Sequence, residues 1–344
     1  MSQQLNVALI GAGRIGKLHG DNLLAHFPQV TLAGVASVPL EAGMEWARQK
    51  GIQRVTDNYK EFIEDPEIDA VLICSSTDTH AEIIIEAAKA GKHIFCEKPI
   101  ATSVPRIVEA LEVVKQAGVK LQVGFNRRFD PHFARAQEMV GNGDIGDVHI
   151  LRITSRDPEA PPVEYVKVSG GMFLDMTIHD FDMARFLSGS EVKEVYATGA
   201  VLVDPAIGEA GDIDTAIIQL TFENGAIGTI DNSRRAVYGY DQRIEVFGSK
   251  GQVAVANVPE SNAVLSNSEA VTGDKPQYFF LERYQQSFVR ELKSFFEAVI
   301  NDQQTPVTGQ DGLEPVLIAM AAAKSVKENR PITLNEIRKE LNLV

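Results

Sequence analysis

The sequence predicts an α/β protein in two parts: a doubly wound parallel sheet, then an α+β domain with a large, mainly antiparallel sheet. Three observations support this. Apolar strand patterns alternate with helix patterns up to about residue 124, which is typical of βαβ units. Beyond Gly124, strands with period-two alternation and glycine turns dominate. A glycine-rich turn, Gly11–Gly16, separates the first strand from the first helix. We therefore predict domains at 1–124 and 125–344, with the option that the C-terminal helices pack back on the first.

The first domain is predicted to hold six short apolar strands and five helices. Leu5–Ile10 is apolar except for Asn6, as expected of a strand buried on both faces. Further strands are predicted at 31–36, 53–56, 69–74, 93–96 and 120–124. Helices are predicted at 15–26, 40–50, 59–63, 80–90 and 103–117. Ser103 is placed as an N-cap, and Gly91 and Gly118 end the two last helices.

The second domain is predicted to be rich in strands. A helix at 131–140 and a turn-rich stretch at 141–146 lead into it. The predicted strands are 148–155, 192–201, 215–222, 226–234, 242–247 and 252–256. Helices are predicted at 171–187, 284–300 and 313–327. Helices then cover one face of the sheet, and a partner subunit is able to cover the other.

Composition narrows the class of protein. The 344 residues carry a formal net charge of −14, with 44% hydrophobic and 23% charged residues. This acidic balance argues against nucleic acid, whose binders need a basic patch. No apolar run approaches the ~20 residues of a membrane span, and Met1–Gln4 lacks a signal-peptide pattern, so we expect a cytoplasmic protein. Cys74 and Cys96 are expected to be free thiols; without nearby ligands they predict no metal site.

The turn Gly11-Ala12-Gly13-Arg14-Ile15-Gly16 predicts dinucleotide binding. In such turns the first glycine permits the tight bend, the second lets the backbone approach a pyrophosphate, and the third lets helix and strand pack closely. The helix that follows then directs free N–H groups at the phosphates. The alternative is a turn with a purely structural role.

Ser37 departs from the expected pattern. The second strand of a dinucleotide-binding fold commonly ends in an acidic residue that binds the ribose hydroxyls, and here Ser37 and Val38 stand there. Without that carboxylate a 2′-phosphate is not repelled, although no basic residue follows directly. Glu41 is a substitute ribose partner, and Arg14 and Arg48 are candidate phosphate partners. We therefore expect NAD as cofactor, with NADP tolerated; alternatively, Ser37 binds the ribose and leaves the NAD preference unchanged.

Lys98 directly follows the strand 93–96, within Glu97-Lys98-Pro99. Ligands bind beyond the carboxyl ends of parallel strands, and an unpaired ammonium is costly to bury. Lys98 is therefore a candidate ligand-binding residue, with Glu97 as a partner for a charge. The alternative is a solvated lysine in an ordinary loop. Pro99 restricts Lys98 to extended backbone and leaves a cis bond possible.

Asp175 and His179 form the second half of the candidate site. If 171–187 is one helix, they are spaced i and i+4 and share a face. A neutral histidine is the usual general base near neutral pH. An ordinary surface Asp–His pair is equally compatible with the spacing, and Asp180 and Asp182 are adjacent alternatives.

Oxidation of a polyol to a ketone needs three contributions. Hydride must reach a nicotinamide, a base must take the hydroxyl proton, and a cation must stabilise the developing oxyanion. We assign His179 as the base, Lys98 as the cation and Asp175 as the orienting carboxylate.

The chain resembles the Gfo/Idh/MocA oxidoreductases over essentially its whole length. The motifs that carry the resemblance are Gly11–Gly16, Asp65–Val71, Glu97-Lys98-Pro99 and Asp175…His179. Within the family, three segments are most similar to members that oxidise myo-inositol: 124–130, 155–158 and 238–241. The resemblance implies oxidation of myo-inositol to scyllo-inosose with NAD, in a homotetramer joined through the large sheets.

The resemblance also implies further site residues. It supports catalytic roles for Lys98, Asp175 and His179. Substrate contacts are implied for Lys98, Asn126, Arg127, Asp157, Asp175, His179 and Tyr240. Cofactor contacts are implied for Gly11, Gly13, Arg14, Ile15, Gly16, Ser37, Ser75, Ser76, Thr77, His80, Glu97 and Lys98. The segment Ser76–His80 lacks the family's proline, and a structural role for His80 is equally compatible.

Two local features of the second domain remain open. Arg127-Arg128 suggests a phosphorylated substrate, but two arginines fall short of a phosphate-binding cluster. We favour one arginine pairing with Asp130 and the other lying in an interface. The loop 158–167 carries Glu164, Tyr165 and Lys167 near the expected substrate, and such loops set specificity.

Two functions from different classes follow. The favoured one is a cyclic-polyol dehydrogenase, with another inositol isomer, such as scyllo-inositol, or glucose as alternative substrates. These substrates differ in the placement of a few hydroxyl groups, which the sequence does not resolve. The other is a non-catalytic dinucleotide sensor on the same fold. A sensor needs only the nucleotide site, so Lys98, Asp175 and His179 argue for the enzyme.

Overall fold

The computed structural model describes residues 4–343, which form two compact units. The first unit runs to Asn126 and also includes Gln286–Glu314. The second consists of Arg127–Gln285 and the chain from Pro315 onward. Each unit is therefore discontinuous in sequence, whereas the sequence analysis divides the chain once, after residue 124.

The first part of the chain alternates strands and helices as predicted. In chain order the elements are β1 (Leu5–Ile10), α1 (Arg14–His26), β2 (Val30–Ala36), α2 (Leu40–Gln49), β3 (Val55–Thr56), α3 (Lys60–Ile63), β4 (Ala70–Ile73), α4 (Thr77–Lys89), β5 (His93–Glu97), α5 (Val104–Ala117) and β6 (Leu121–Gly124). A 3-10 turn, Asn126–Phe129, follows.

The remaining elements are mostly strands until the chain returns to helix. They are α6 (Pro131–Gly141), β7 (Val148–Arg156), α7 (Val163–Val166), α8 (Met172–Asp175), α9 (Ile178–Ser188), β8 (Val192–Ala200), α10 (Pro205–Glu209), β9 (Thr215–Phe222), β10 (Ile227–Ser233), β11 (Asp241–Gly248), β12 (Gly251–Val255), β13 (Val264–Ser266), β14 (Val271–Gly273), α11 (Phe280–Arg283), α12 (Gln285–Ile300), α13 (Gly309–Glu328), β15 (Ile332–Thr333) and α14 (Leu334–Glu340).

The first unit is built on a six-stranded sheet in the order β3-β2-β1-β4-β5-β6. All neighbouring strands pair in parallel. The strand order reverses between β1 and β4, where ligands of such sheets bind beyond the carboxyl ends of the strands. The sequence prediction of a doubly wound parallel sheet is confirmed.

The core of the first unit includes helix α12 from the C-terminal part of the chain. Phe295 and Phe296 are buried in one cluster with Leu9 and Phe95 of the sheet strands. The rings of Phe95 and Phe295 lie 5.9 Å apart. Since a fully buried phenylalanine contributes about 1.5–3 kcal/mol, these side chains anchor α12 to the sheet.

The second unit is built on a seven-stranded sheet in the order β12-β11-β7-β10-β9-β8-β15. Strands β7 and β10 pair in parallel, and every other neighbouring pair is antiparallel. Side chains along β9 alternate between buried and accessible, so one face of the sheet packs on the core. The predicted, mainly antiparallel sheet is confirmed.

The continuous helix predicted at 171–187 is wrong. The segment forms two helices, α8 and α9, with a break at Met176 and Thr177. The Thr177 hydroxyl donates to Asn232 Oδ1 at 2.7 Å, and the Thr177 amide bonds to Met172 five residues earlier. A buried contact with strand β10 thus outweighs local helix propensity.

Smaller predictions have mixed outcomes. Gly118 ends α5 in the left-handed conformation, as predicted, but the Ser103 side chain makes no capping bond. Cys74 and Cys96 are free, as predicted. The sequence analysis did not predict several short elements, including α10. Asp204 caps this helix and a proline follows it, which is a common way for a helix to begin. Among residues 4–343, no helix combines the length and apolar character needed to cross a bilayer.

Candidate active site

The turn between β1 and α1 has the geometry predicted for the glycine motif. Gly11 has a φ of +97°, and a Cβ there would lie 2.4 Å from the Ser75 amide nitrogen. A Cβ on Gly16 would lie 1.8 Å from the Gly11 carbonyl oxygen. Both positions therefore require glycine, one for the bend and one for the close approach of helix and strand.

The same turn suits a dinucleotide phosphate. A Cβ built on Gly13 meets no atom within 4 Å, so the space beside this residue is open. Gly13 stands at the N-cap of α1 and, having no side chain, leaves the first turn without a side-chain cap. The N-terminus of this 13-residue helix thus faces an open site, which is the environment that anions favour. Arg14 is exposed and Ile15 partly buried beside it.

Ser37 lies at the end of β2 and is buried. Its hydroxyl donates to the Pro39 carbonyl oxygen at 3.2 Å. A Cβ on Gly43 would lie 2.6 Å from the Ser37 Cβ, so helix α2 packs closely on this position. The strand end where an acidic side chain commonly binds the ribose is therefore uncharged, while Glu41 and Arg48 are exposed on α2.

The loop after β4 contains the predicted residues Ser75, Ser76 and Thr77. Ser76 precedes the first residue of α4 in extended backbone, and the Ser75 and Thr79 hydroxyls bond to each other at 2.7 Å. His80 is buried, with Nε2 3.0 Å from the Ser75 carbonyl oxygen and Nδ1 2.9 Å from that of Pro99. His80 thus ties the loop after β4 to the loop after β5.

Lys98 lies in a loop that is held on both sides. Before it, the Glu97 carboxylate bonds to His19 Nε2 at 2.6 Å. After it, the Pro99 carbonyl oxygen bonds to His80, and the Lys98–Pro99 peptide bond is cis. The backbone around Lys98 is therefore positioned by two histidines from helices α1 and α4.

Glu97 belongs to a buried cluster that the sequence analysis missed. Glu291 of α12 lies 3.8 Å from His19 Nε2, and its side chain is fully buried. Among the described residues, neither Glu291 oxygen has a hydrogen-bond partner. Burial, followed by repulsion from Glu97, raises the pKa of Glu291 well above its ordinary value. Burial therefore favours the neutral form of the Glu291 carboxyl.

In the second unit, Asp175 and His179 lie on opposite sides of the break between α8 and α9. Asp175 accepts a hydrogen bond from the Tyr165 hydroxyl at 2.8 Å and one from Arg234 at 2.9 Å. His179 is partly buried, and Phe173 and Phe181 are buried near it in sequence. Tyr165 of α7 and Arg234 after β10 thus hold the Asp175 carboxylate in place.

Arg127 and Tyr240 are buried side chains in a shared network. Arg127 Nη1 donates to Asp180 at 2.5 Å, and Nη2 lies 3.3 Å from the Tyr240 hydroxyl. Asn232 donates to the other Asp180 oxygen at 2.9 Å. Burial raises the pKa of Asp180, against the opposing effect of Arg127. Asp180, noted in the sequence only as a neighbour of His179, is therefore central to this network.

The predicted pairing of Arg127 or Arg128 with Asp130 is wrong. Arg128 forms two bonds to Asp182, at 2.6 and 2.8 Å. Asp130 instead binds Arg283 and caps helix α6 through two backbone amides. The partners are distant in sequence, so local spacing does not reveal them. Neither arginine of the pair is left to form a phosphate site.

Asp157 follows strand β7, and Arg234, which sequence reasoning missed, follows strand β10. Arg234 Nη1 lies 3.5 Å from Asp157, while Nη2 binds Asp175. The Asp157 side chain is 23% exposed, and burial raises its pKa to about 6, against the opposing effect of Arg234. The signal in the sequence was the Arg234-Arg235 pair at a strand end, but its meaning depends on the parallel pairing of β7 with β10.

Comparisons with known proteins agree with this geometry. Residues 5–125 match the "Oxidoreductase family, NAD-binding Rossmann fold", and residues 133–254 match the "GFO/IDH/MocA C-terminal domain". Myo-inositol 2-dehydrogenase of Thermotoga maritima is 50% identical over 333 residues, 97% of this chain and 99% of that protein.

Two solved structures are similar over the same length. A probable dehydrogenase from Thermotoga maritima has a TM-score of 0.95 and 50% identity, covering 97% of this chain and 100% of that one. Scyllo-inositol dehydrogenase from Lactobacillus casei, solved with NAD(H) and scyllo-inositol, has a TM-score of 0.90 and 32% identity, covering 96% and 99%.

Proposed function

Because this chain belongs to the Gfo/Idh/MocA family of oxidoreductases, we propose that it oxidises myo-inositol to scyllo-inosose and delivers the hydride to NAD. The observation that carries this proposal is the 50% identity to a myo-inositol 2-dehydrogenase over 97% of the chain. The open glycine turn at the N-terminus of α1 supports the dinucleotide part.

We assign each chemical task to a residue. His179 accepts the proton of the substrate hydroxyl as the general base. Lys98 stabilises the negative charge that develops on the same oxygen, because a fixed cation is most effective where charge appears. Asp175 holds the reacting groups in orientation through its acceptor oxygens. The nicotinamide, when bound, supplies the hydride acceptor.

The remaining predicted residues support binding. We propose that Asp157 and Asn126 contact the substrate hydroxyls, and that Arg127 and Tyr240 contribute through the buried network around Asp180. The loops after β1, β2, β4 and β5 hold the dinucleotide, with Ser37 leaving NADP tolerated. A cytoplasmic location remains a prediction from the sequence.

We further propose a homotetramer joined through the seven-stranded sheets. Ile227 and Phe247 are 54% and 42% exposed on one face of the second unit. Both pair with Ile150, so the three side chains form one row across β10, β7 and β11. An apolar row of this kind on an open sheet favours a second subunit.

Scyllo-inositol is the second candidate substrate, since a similar structure holds it together with NAD(H). The test is NADH formation, followed by absorbance, with myo-inositol, scyllo-inositol, D-chiro-inositol and glucose, each with NAD and with NADP. Fast turnover of myo-inositol with NAD is the expected result. Turnover of scyllo-inositol alone would replace the substrate, and silence with all four despite NADH binding would favour a dinucleotide sensor.

Replacing Lys98 by methionine separates the enzyme from the sensor. We expect Lys98→Met to lower kcat by about 100-fold or more, because the developing oxyanion loses its cation. NADH affinity, measured by fluorescence titration, should change little. The control is Lys89→Met, because Lys89 lies at the exposed end of α4; it should leave kcat and NADH affinity unchanged. Lys92 is unsuitable for this purpose, because it is buried and its ammonium bonds to backbone carbonyls. Unchanged kcat in Lys98→Met would remove Lys98 from the mechanism.

A further inference from the structure

Arg234 lies between two carboxylates of the second unit. Its guanidinium donates to Asp175 at 2.9 Å and forms an ion pair with Asp157 at 3.5 Å. The side chain is 4% exposed, so solvent does not take the place of these partners. One buried cation therefore serves two acidic groups that come from different elements.

The fold determines this position before any ligand binds. Strands β7 and β10 run in parallel with Arg156 opposite Ser233, so Asp157 and Arg234 leave adjacent strand ends together. The Asp157 amide bonds to the Ser233 carbonyl oxygen at 3.0 Å, and the Arg234 amide to that of Asp214 at 2.8 Å. The backbone of both residues is thus fixed by the sheet.

Charge explains why an arginine is needed there. Burial opposes the charge of Arg234, but Asp175 and Asp157 outweigh it and raise its pKa, so it remains a cation. Burial raises the pKa of Asp157, Arg234 lowers it, and Asp175 raises it further. Without the arginine, the two partly buried carboxylates would repel each other, and the pKa of Asp157 would rise further. Other titratable groups also face these residues: Arg127 and Tyr240 act on Asp157, Tyr165 bonds to Asp175, and Asp212 acts on Arg234.

We propose that Arg234 is a positioning residue that keeps Asp157 and Asp175 as a pair of ionised acceptors for two neighbouring hydroxyl groups of the polyol. An ionised carboxylate accepts hydrogen bonds on both oxygens, whereas a protonated one gives up an acceptor position to its own O–H. The pair therefore selects substrates with adjacent hydroxyl groups over simple alcohols. This inference rests on the proposed function, because it concerns how the same site holds its substrate.

The experiment compares Arg234→Met and Arg234→Lys with Arg235→Met, which removes the exposed neighbouring arginine. The pH dependence of kcat/KM for myo-inositol is measured with NAD. We expect Arg234→Met to lower kcat/KM by about 100-fold or more. The acidic limb of its pH profile should move upward by at least about one pH unit, because loss of the cation raises the pKa of Asp157 and removes the ion-pair partner of Asp175. Arg234→Lys keeps the positive charge, so its acidic limb should return to the wild-type pH while kcat/KM recovers only in part. Arg235→Met should match the wild type in both quantities.

A second measurement keeps the test independent of turnover. The folded pKa of Asp157, about 6, lies above its ordinary 3.8, so its ionisation lowers stability as pH rises through this window. In Arg234→Met, the free energy of unfolding should keep falling above pH 6, because the pKa of Asp157 is higher there. In Arg234→Met/Asp157→Asn, this fall should become smaller, because the carboxyl is gone. Urea unfolding at a series of pH values measures this pH dependence, and the measurement does not require the protein to be active.

The outcomes separate two failures. If wild-type protein oxidises no polyol, the proposed function fails, and the unfolding series still decides whether Arg234 controls the carboxylates. If the wild type is active but Arg234→Met keeps the wild-type pH profile and pH dependence of unfolding, Arg234 is only structural. An equal shift in Arg235→Met would also overturn the inference, because a general surface charge would then explain it.

Discussion

Single residues in the second unit show how buried charge is managed. Arg127 faces Asp180, Arg128 faces Asp182, and Arg283 faces Asp130. Removing one partner of a buried pair leaves an uncompensated charge that costs about 3–5 kcal/mol. The arginines near the site therefore serve first to hold carboxylates, which explains why a phosphate-binding interpretation of Arg127-Arg128 is unnecessary.

Ser37 gives a residue-level prediction on cofactor choice. We expect wild-type protein to use both NAD and NADP, and Ser37→Asp to lower kcat/KM with NADP by about 10-fold or more. The new carboxylate would repel a 2′-phosphate and accept bonds from the ribose hydroxyls. Rates with the two cofactors at fixed polyol concentration provide the measurement.

The neutral variant Ser37→Asn is the matched control, because it changes the size of the side chain without adding charge. It should retain the wild-type NADP to NAD ratio. A wild-type protein that already excludes NADP would show that another feature, such as Glu41, performs the discrimination.

At the scale of elements, helix α12 links the C-terminal part of the chain to the first sheet. It contributes Phe295 and Phe296 to the core and brings Glu291 to the His19–Glu97 pair beside Lys98. The Gln122 side chain also donates to the Glu291 carbonyl oxygen at 2.8 Å. The helix therefore stabilises the sheet and lies against the residues that position the Lys98 loop.

Glu291 makes the stability of the first unit depend on pH. Its folded pKa is raised above its ordinary value. The stability that Glu291 contributes to the folded state is therefore fully present below the unfolded pKa and is lost as pH rises through the folded pKa. Glu291→Gln resembles the protonated acid, so we expect it to match the wild type at about pH 5 and to be more stable at about pH 8. The gain should grow with pH, because each pH unit between the unfolded and the folded pKa of Glu291 changes the free energy of unfolding by about 1.4 kcal/mol.

Urea unfolding at the two pH values measures this difference. Glu297→Gln is the matched control on the same helix, because Glu297 forms an exposed pair with Lys293 and such pairs contribute about 0–1 kcal/mol. A Glu291→Gln variant that is equally destabilised at both pH values would show that the ionised carboxylate is required.

At the scale of the whole molecule, the second sheet has one covered face and one open face. The row of Ile150, Ile227 and Phe247 lies on the open face, and ion pairs such as Arg152–Glu245 lie beside it on the same face. Exposed apolar rows bordered by charge are typical of subunit interfaces. The proposed homotetramer follows from this surface together with the family resemblance.

We expect Phe247→Lys to weaken this assembly by about 100-fold or more, since burying an unpaired ammonium is costly. Sedimentation velocity over a range of concentrations measures the change. Leu24→Lys, which places the same charge at an exposed position of helix α1, should leave the oligomer intact. A monomeric wild type, or an unchanged oligomer in Phe247→Lys, would contradict assembly through this face.

Local signals determined much of this protein. The period of apolar residues predicted the parallel sheet, and β1 and β9 have the predicted bounds. The glycine turn predicted its own geometry, because positive φ and close backbone approach are properties of individual residues. The predicted roles of Lys98, Asp175 and His179 stay predictions that the kinetic experiments test.

Tertiary structure alone decided how charges pair and where helices break. Thr177 interrupts the predicted helix because Asn232, 55 residues away, takes its hydroxyl bond. Arg234 reaches Asp157 because β7 and β10 pair in parallel, although 77 residues separate the ends. Such contacts have no period or spacing in the sequence. The sequence by itself therefore determined the elements and the nucleotide turn, while long-range pairing decided which carboxylates are held, by which cations, and with which pKa.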